Sequence, residues 1–432
     1  MKRIVILFSL LALLGSTALA QTKIDFFEAF STERLQWIKD RAAEWNKQNP
    51  NYEIVVTPKA SYREVLNAAV LGARQGNPPA LVQLFEVGSQ QAKDSGLFIP
   101  VGQIPGSFDT SDYIKPVLDY YTIDGTVNSI PFNSSNAVMF VNNALMTKAG
   151  LDPNNPPKTY TDVLNDCAAL RAAGDTKDSC ITFALHSWFF EQWMAEQNAP
   201  LVNNDNGRGG RATQVLLTSQ PALNIVNWIK ELNDKGYYTY TGKLEDWNGS
   251  EAIFTQGQAM FHIDSTSEVN AITKAGKDGG WGATTAELPI ADNAPREGVV
   301  IGGASLWIAK GVPQDVQQAA RNFALFMTNT QNMISWHKLT GYFPVRISSV
   351  NQLDKEGWFR DNPNYAVAFK QLLNTKSSPA TAGALMGPFP QVRTIIEEAI
   401  QKVLNGASVD SAMGQAEKLA NQALQQYNSN FQ

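Results

Sequence analysis

The chain alternates between two kinds of hydrophobic pattern. Short apolar runs at 24–27, 52–56 and 80–85 read as strands, the second of them β-branched. Between them, Leu35, Ile38, Ala42 and Trp45 recur at helical spacing after a capping Ser31, and 62–74 is helical again. Asn49-Pro50-Asn51 stops the first helix and Gly76-Asn77-Pro78-Pro79 the second. Strands alternating with helices predict a mostly parallel sheet in an α/β lobe, with ligands outside the carboxyl ends of its strands. Glu86-Val87-Gly88 lies just past such an end.

A hairpin is predicted at 120–131 around Asp124-Gly125, leading into Phe132-Asn133-Ser134-Ser135. A strand at 137–141 opens a second α/β region, with helices at 162–173 and 222–232 and a strand at 258–263. Ile301-Gly302-Gly303-Ala304 is a glycine turn entering a strand, and from Asp315 onward the chain is largely helical, apart from an irregular patch at 379–390.

The first twenty residues follow another pattern. Lys2-Arg3 precedes an apolar run over 4–14, and Ala18-Leu19-Ala20 ends the segment. This reads as a secretory signal peptide, 1–20, cleaved near Ala20. The run falls short of the roughly 20 apolar residues that a membrane span needs. No cysteine follows the cleavage site to accept a lipid, so a soluble exported protein is expected.

The remaining length, about 410 residues, exceeds what one core supports, so two lobes are expected. Losing Lys2 and Arg3 takes the formal charge from −5 to −7, and no basic block exists, which argues against a nucleic-acid partner. Cys167 and Cys180, with 12 residues between them, can close a small loop in an oxidising compartment or stay buried as free thiols. His186, His262 and His337 lack metal-ligand spacing, and neither a zinc-protease, a nucleophile-elbow nor a P-loop motif occurs, so no metal, cofactor or catalytic group is assigned.

Several blocks together resemble the extracellular solute-binding proteins of the maltose-binding group. They are Phe140-Val141-Asn142, Ala149-Gly150-Leu151-Asp152-Pro153, Pro156-Pro157-Lys158-Thr159-Tyr160, Gln258-Ala259-Met260 and Gly302-Gly303. The glycerol-3-phosphate-binding branch is similar in further places: Tyr62 to Leu66, Glu86-Val87-Gly88, 131–135, 301–307, Trp336 to Pro344 and Pro390-Gln391-Val392-Arg393. The resemblance runs in one order over nearly the whole chain after residue 20.

It implies a two-lobed periplasmic-binding-protein fold with a hinge of crossing segments and a ligand cleft between the lobes. The expected crossings lie near Phe132, Asp264 and Lys310. The N-terminal lobe is then 21–131 plus 265–309 and the C-terminal lobe 132–264 plus 310–432. By motif the binding residues are Tyr62, Glu86, Ser135, Gly303, Tyr342 and Arg393, with Trp188 as a further wall. Arg393 is a fork donor suited to phosphate; Ser135 and Tyr342 carry hydroxyls, and Gly303 lets its N–H approach an anion closely. Glu86 accepts from ligand hydroxyls.

Two positions depart from the pattern. Asp264 stands where the branch has a phosphate-binding serine, unless a slip of one residue brings Ser265 there, and a carboxylate beside a dianion is repulsive. Tyr160 stands where the family has a tryptophan wall. Asp264 suits a hydroxyl or the ammonium of a glycerophosphodiester such as glycerophosphocholine. The resemblance therefore implies a periplasmic receptor, monomeric, without cofactor or chemistry, that hands a glycerol-phosphate solute to the membrane permease and ATPase of an ABC importer. An oligosaccharide is the alternative ligand. Glu86 and Asp264 as paired carboxylates of a glycosidase are the enzymatic one.

Overall fold

The computed structural model describes residues 21–175 and 177–431; the expected signal peptide, 1–20, lies outside the described residues. β1 (Thr22–Glu28) runs parallel to β2 (Tyr52–Pro58) on one side and to β3 (Leu81–Phe85) on the other. β4 (Phe98–Ile99) is short. β5 (Thr122–Ile123) and β6 (Thr126–Val127) form the predicted hairpin, turned by Asp124 at φ 50° and Gly125 at φ 71°, the left-handed pair that a two-residue connection requires. β7 (Ile130–Ser135) and β8 (Ala137–Asn142) are separated only by Asn136, yet belong to different sheets. β9 (Ser179–Thr182), β10 (Tyr238–Thr239), β11 (Ala259–Ser265) and β12 (Ala283–Ala286) lie in the second sheet, and β13 (Gly302–Ala309) returns to the first.

The first sheet has the order β2-β1-β3-β13-β4, with β7 also on β13; the second has the order β10-β9-β11-β8-β12. The chain thus crosses at Asn136, close to the expected Phe132. The other two crossings differ from expectation. After β11 the chain stays with the second sheet, because β12 pairs antiparallel with β8 and Val269 and Ile272 bury against Val138, Phe140 and Phe254. It leaves only between β12 and β13. After β13 it stays with the first sheet through the helix Gln314–Met327, where Val316, Ala320, Phe323 and Met327 pack among Phe26, Leu306 and Ile308. It returns to the second lobe with the helix Pro363–Leu373, on β8 and β12, and with Phe389–Leu404 and Val409–Asn428, on the helix Gln220–Asp234. The assignments of 265–301 to the first lobe and of the segment through Met327 to the second are corrected accordingly, while β13 and the three C-terminal helices lie in the lobes expected for them.

Aromatic side chains fill the first lobe beside the cleft. Trp336 lies 4.9 Å from Trp37 and 5.1 Å from Phe132, ring centre to ring centre. In the second lobe, Cys167 and Cys180 form a disulfide that ties the helix Tyr160–Ala172 to β9. Thr159 and Asp162 cap that helix reciprocally, the arrangement that satisfies two orphan N–H groups. Replacing both cysteines with alanine is expected to cost about 3 kcal/mol through the freed 13-residue loop. Urea unfolding under oxidising conditions checks this, and reductant should bring the parent down to the variant. Among the described residues no helix is long and apolar enough to cross a membrane.

Candidate functional site

Strand ends and helix starts converge between the two sheets on a cleft of about 650 Å³. All eight sequence-predicted residues line it: Tyr62, Glu86, Ser135, Trp188, Asp264, Gly303, Tyr342 and Arg393. Glu86 follows the carboxyl end of β3, and Asp264 and Ser265 close β11. Tyr62 opens the helix Tyr62–Arg74, and its ring stacks on Phe85 at 5.8 Å. The Tyr62 hydroxyl accepts from Asn133 Nδ2 at 2.9 Å, while Asn133 Oδ1 accepts from Gln83 Nε2 at 2.8 Å, so β7 and β3 fix the ring jointly. Tyr342 stacks on Trp336 at 5.7 Å.

Gly302 and Gly303 of β13 lie opposite Ser135 and Ser134. Gly303 has φ +102°, and a Cβ there would sit 1.9 Å from the Asn133 carbonyl oxygen. At Gly302 a Cβ would meet the Trp188 ring at 2.5 Å. The two glycines therefore let Trp188 and β7 close on the strand. The Trp188 Nε1 hydrogen, buried at this contact, has no partner among the described residues.

Arg393 is buried in the helix Phe389–Leu404, and its fork is already engaged. Nε donates to Glu191 at 2.7 Å; Nη2 donates to Glu191 at 2.8 Å and to Glu86 at 2.7 Å. One guanidinium thus faces two carboxylates, one from each lobe. Burial pushes the Glu86 carboxyl up, and Arg393 partly offsets that. The fork expected to face a ligand phosphate is instead a bridge between the lobes.

Asp264 is also tied. His262 Nδ1 lies 3.0 Å from the Thr182 carbonyl, which can only accept, so Nδ1 carries a hydrogen. His262 Nε2 lies 2.9 Å from Asp264 Oδ2, so the imidazole and the carboxylate are hydrogen-bonded. Asp264 Oδ1 accepts from the Ser265 N–H at 2.6 Å. Burial pushes the Asp264 carboxyl up, and the hydrogen bonds from His262 and Ser265 occupy both of its oxygens, which tempers the repulsion that the sequence suggests between Asp264 and an anion. Ser265 lines the cleft as well.

Sequence reasoning missed Arg34, Trp247 and a set of acids. Arg34 sits in the first turn of the helix Thr32–Gln48, Trp247 opens Trp247–Thr255, and Glu33, Glu245, Glu251 and Glu268 stand around them. Six carboxylates and three arginines, Arg34, Arg63 and Arg393, line the cleft. No motif marks them; the only signal is polar residues directly after strand ends. Tyr160, by contrast, is not a cleft wall. It stacks on Trp228 at 4.1 Å inside the second lobe, and Trp247 supplies the additional aromatic surface.

His186, Glu245 and Glu397 bring ligand atoms within 4.8 Å of one another. The His186 Nδ1 lone pair, however, accepts the Trp188 N–H at 2.9 Å, and Glu397 accepts the Ser187 N–H at 2.9 Å. The group caps the helix Ser187–Glu196. Glu28, behind the cleft, has Oε2 accepting from the Phe30 N–H at 2.7 Å and Oε1 buried without a partner. Burial pushes this carboxyl up to about 7. Between about 4.5, the unfolded value, and about 7 the native chain holds a proton that the unfolded chain has released. Stability from this group is therefore lost as pH rises through that window, and Glu28→Gln is expected to flatten that part of a melting-temperature profile.

A cleft walled by both lobes is the architecture of the two-lobed solute receptors. The chain belongs to the bacterial extracellular solute-binding protein family, whose sequence model matches residues 40–367. That family serves ABC importers by binding solute for the permease and is not catalytic. The chain is 31% identical over 418 residues to the sn-glycerol-3-phosphate-binding periplasmic protein UgpB of Salmonella paratyphi A, covering 95% of this chain and 94% of that one. With Escherichia coli K12 UgpB it shares 30% identity over 425 residues, covering 96% and 95%. Among solved structures, UgpB from Mycobacterium tuberculosis in complex with glycerophosphocholine superposes with a TM-score of 0.76 at 21% identity, covering 94% and 99%. The cyclic α-maltosyl-1,6-maltose binding protein from Arthrobacter globiformis gives 0.77 at 19%, covering 94% and 100%. Both structural likenesses speak to the fold.

Proposed function

We propose that this protein is the periplasmic receptor for a glycerol phosphate ester, acting as a monomer after cleavage near Ala20 and passing its ligand to an ABC permease. The observation that carries the reading is the convergence on one interlobe cleft of the six residues that the glycerol-3-phosphate-binding pattern selects, Tyr62, Glu86, Ser135, Gly303, Tyr342 and Arg393, with Trp188 and Asp264 beside them. The likeness to UgpB over nearly the full length of both chains supports it. Glu86, Ser135 and Tyr342 are suited to the glycerol hydroxyls, and Arg393 retains Nη1 for the same purpose.

Within that class the charge inventory favours a monoanionic diester over a dianionic monoester. Six carboxylates line the cleft, and Arg393 is more than neutralised by its two partners. A diester such as glycerophosphocholine adds a quaternary ammonium that aromatic faces and carboxylates attract. The same acids and rings also suit a neutral oligosaccharide, which stands as the second reading.

Thermal unfolding of the mature chain against glycerophosphocholine, glycerol 3-phosphate, maltose and trehalose separates these readings. A ligand at about 1,000 times its dissociation constant adds about 4 kcal/mol, a shift of several degrees. Stabilisation by glycerophosphocholine or glycerol 3-phosphate is expected. Stabilisation by a disaccharide alone would transfer the protein to the sugar receptors.

A further inference from the structure

The cleft must balance an arriving phosphate, and the arginine selected by the family pattern cannot do so alone. Arg393 faces Glu191 and Glu86 together, so its site is net negative. Arg63 is exposed and makes only a 3.5 Å contact to the Pro390 carbonyl. Arg34 is placed differently. Its Nη2 donates to Glu268 Oε1 at 2.9 Å and to the Ser267 carbonyl at 3.1 Å, so it faces one carboxylate rather than two. Its Nε and Nη1 have no partner among the described residues, and 22% of the side chain is open. The guanidinium carbon lies 5.5 Å from the Tyr342 ring centre and 5.9 Å from that of Phe30, two rings that hold its plane in place.

The surroundings agree with an anion. Arg34 belongs to the first turn of a 17-residue helix whose Ser31 side chain makes no cap bond, and the positive end of that helix lies at the cleft, where the Glu33 N–H engages the Glu33 carboxylate. Ser265 Oγ accepts from the Ser267 N–H at 3.1 Å, which leaves its own hydrogen to give. Of the acids facing this corner, Glu268 is paired with Arg34 and Asp264 is hydrogen-bonded to His262. Burial, with Glu268 and Asp264 adding to it, pushes the Glu251 carboxyl up to about 7, while the backbone N–H and the Thr32 hydroxyl hold the Glu33 carboxyl below its ordinary range at the helix end.

We propose that Arg34 is the specificity-determining residue of the cleft, taking the phosphate oxygens with Nε and Nη1 beside the Ser265 hydroxyl while Nη2 stays on Glu268. The inference rests on the phosphate-ester reading above. The ligand is then laid across the cleft, with its phosphate on the first-lobe helix and its hydroxyls toward Glu86 and Arg393.

The test is calorimetric titration of the mature chain with glycerophosphocholine and with glycerol 3-phosphate, for the parent, Arg34→Gln, Glu268→Gln and the double variant. Arg34→Gln should weaken binding of the phosphate ester at least tenfold. Glu268→Gln should strengthen glycerol 3-phosphate binding several-fold, because it releases Nη2 and removes a like charge. The double variant should remain weak. Unchanged affinity in Arg34→Gln overturns the inference and leaves the phosphate-ester reading standing. Recovery in the double variant also overturns it, since the loss would then come from an unpaired Glu268. If the parent takes neither ester, the reading and the inference fail together. If Arg34→Gln does not fold, Glu268→Gln decides alone: a gain supports Arg34, and no gain overturns it.

Discussion

Gly303→Ala is expected to destabilise the protein by about 2–6 kcal/mol, adding the cost of a strained backbone to that of overpacking. The φ of +102° at this residue is one that an L side chain rarely adopts, and the new methyl would sit 1.9 Å from the Asn133 carbonyl oxygen. Relief requires β7 to move away from β13, and β7 carries Asn133, which holds both Gln83 and Tyr62. Damage therefore passes from one methyl group to the sheet and then to a cleft wall. Urea unfolding should show a much lower midpoint, and titration should show binding lost together with stability. Gly76, a turn glycine at φ +75° with nothing near a new Cβ, provides the comparison: its alanine variant carries only the backbone strain.

Arg393→Ala is the second large effect. Removing the guanidinium leaves Glu86 and Glu191 buried side by side without their cation, and breaking a buried pair in this way costs about 3–5 kcal/mol. The loss should be greatest at neutral pH and shrink toward pH 5, because the orphaned carboxylates escape their mutual repulsion by taking up protons. Affinity should fall at least tenfold, since Glu86 loses the contact that aims it and the lobes lose a bridge. Melting temperatures at the two pH values, with calorimetry at neutral pH, check both parts. A loss of affinity with unchanged stability would show that Arg393 serves the ligand and not the bridge.

The elements were legible where local pattern decides them. The β-branched run Tyr52 to Val56, the Asp124-Gly125 turn and the glycine entry to β13 each carry their own signal, and each matches an element of the fold. Sheet membership carries none. Nothing in Ala283 to Ala286 says that it pairs with β8 instead of joining the first sheet; that follows from the packing of Val269 and Ile272. The crossings were misplaced for this reason.

For the cleft, motif and order selected six residues that the fold brings together with Trp188 and Asp264, but not what those residues do to one another. The engagement of Arg393 with Glu191 joins residues 202 positions apart. The hydrogen bonding of Asp264 depends on His262, two residues away on the same strand, which the Thr182 carbonyl of a neighbouring strand holds in place. Tyr160 looked like a wall by alignment and is core, because Trp228 and Trp193 pack around it. Arg34 and Trp247 belong to no motif and become visible only when helix starts converge.

The central claim is that the interlobe cleft holds a glycerol phosphate ester. Calorimetric titration of the mature protein with glycerophosphocholine, alongside maltose, tests it most directly. The account predicts saturable one-to-one binding of glycerophosphocholine, weakened at least tenfold by Arg393→Ala, and no heat from maltose beyond dilution. Saturable binding of maltose with no response to glycerophosphocholine or glycerol 3-phosphate would contradict it.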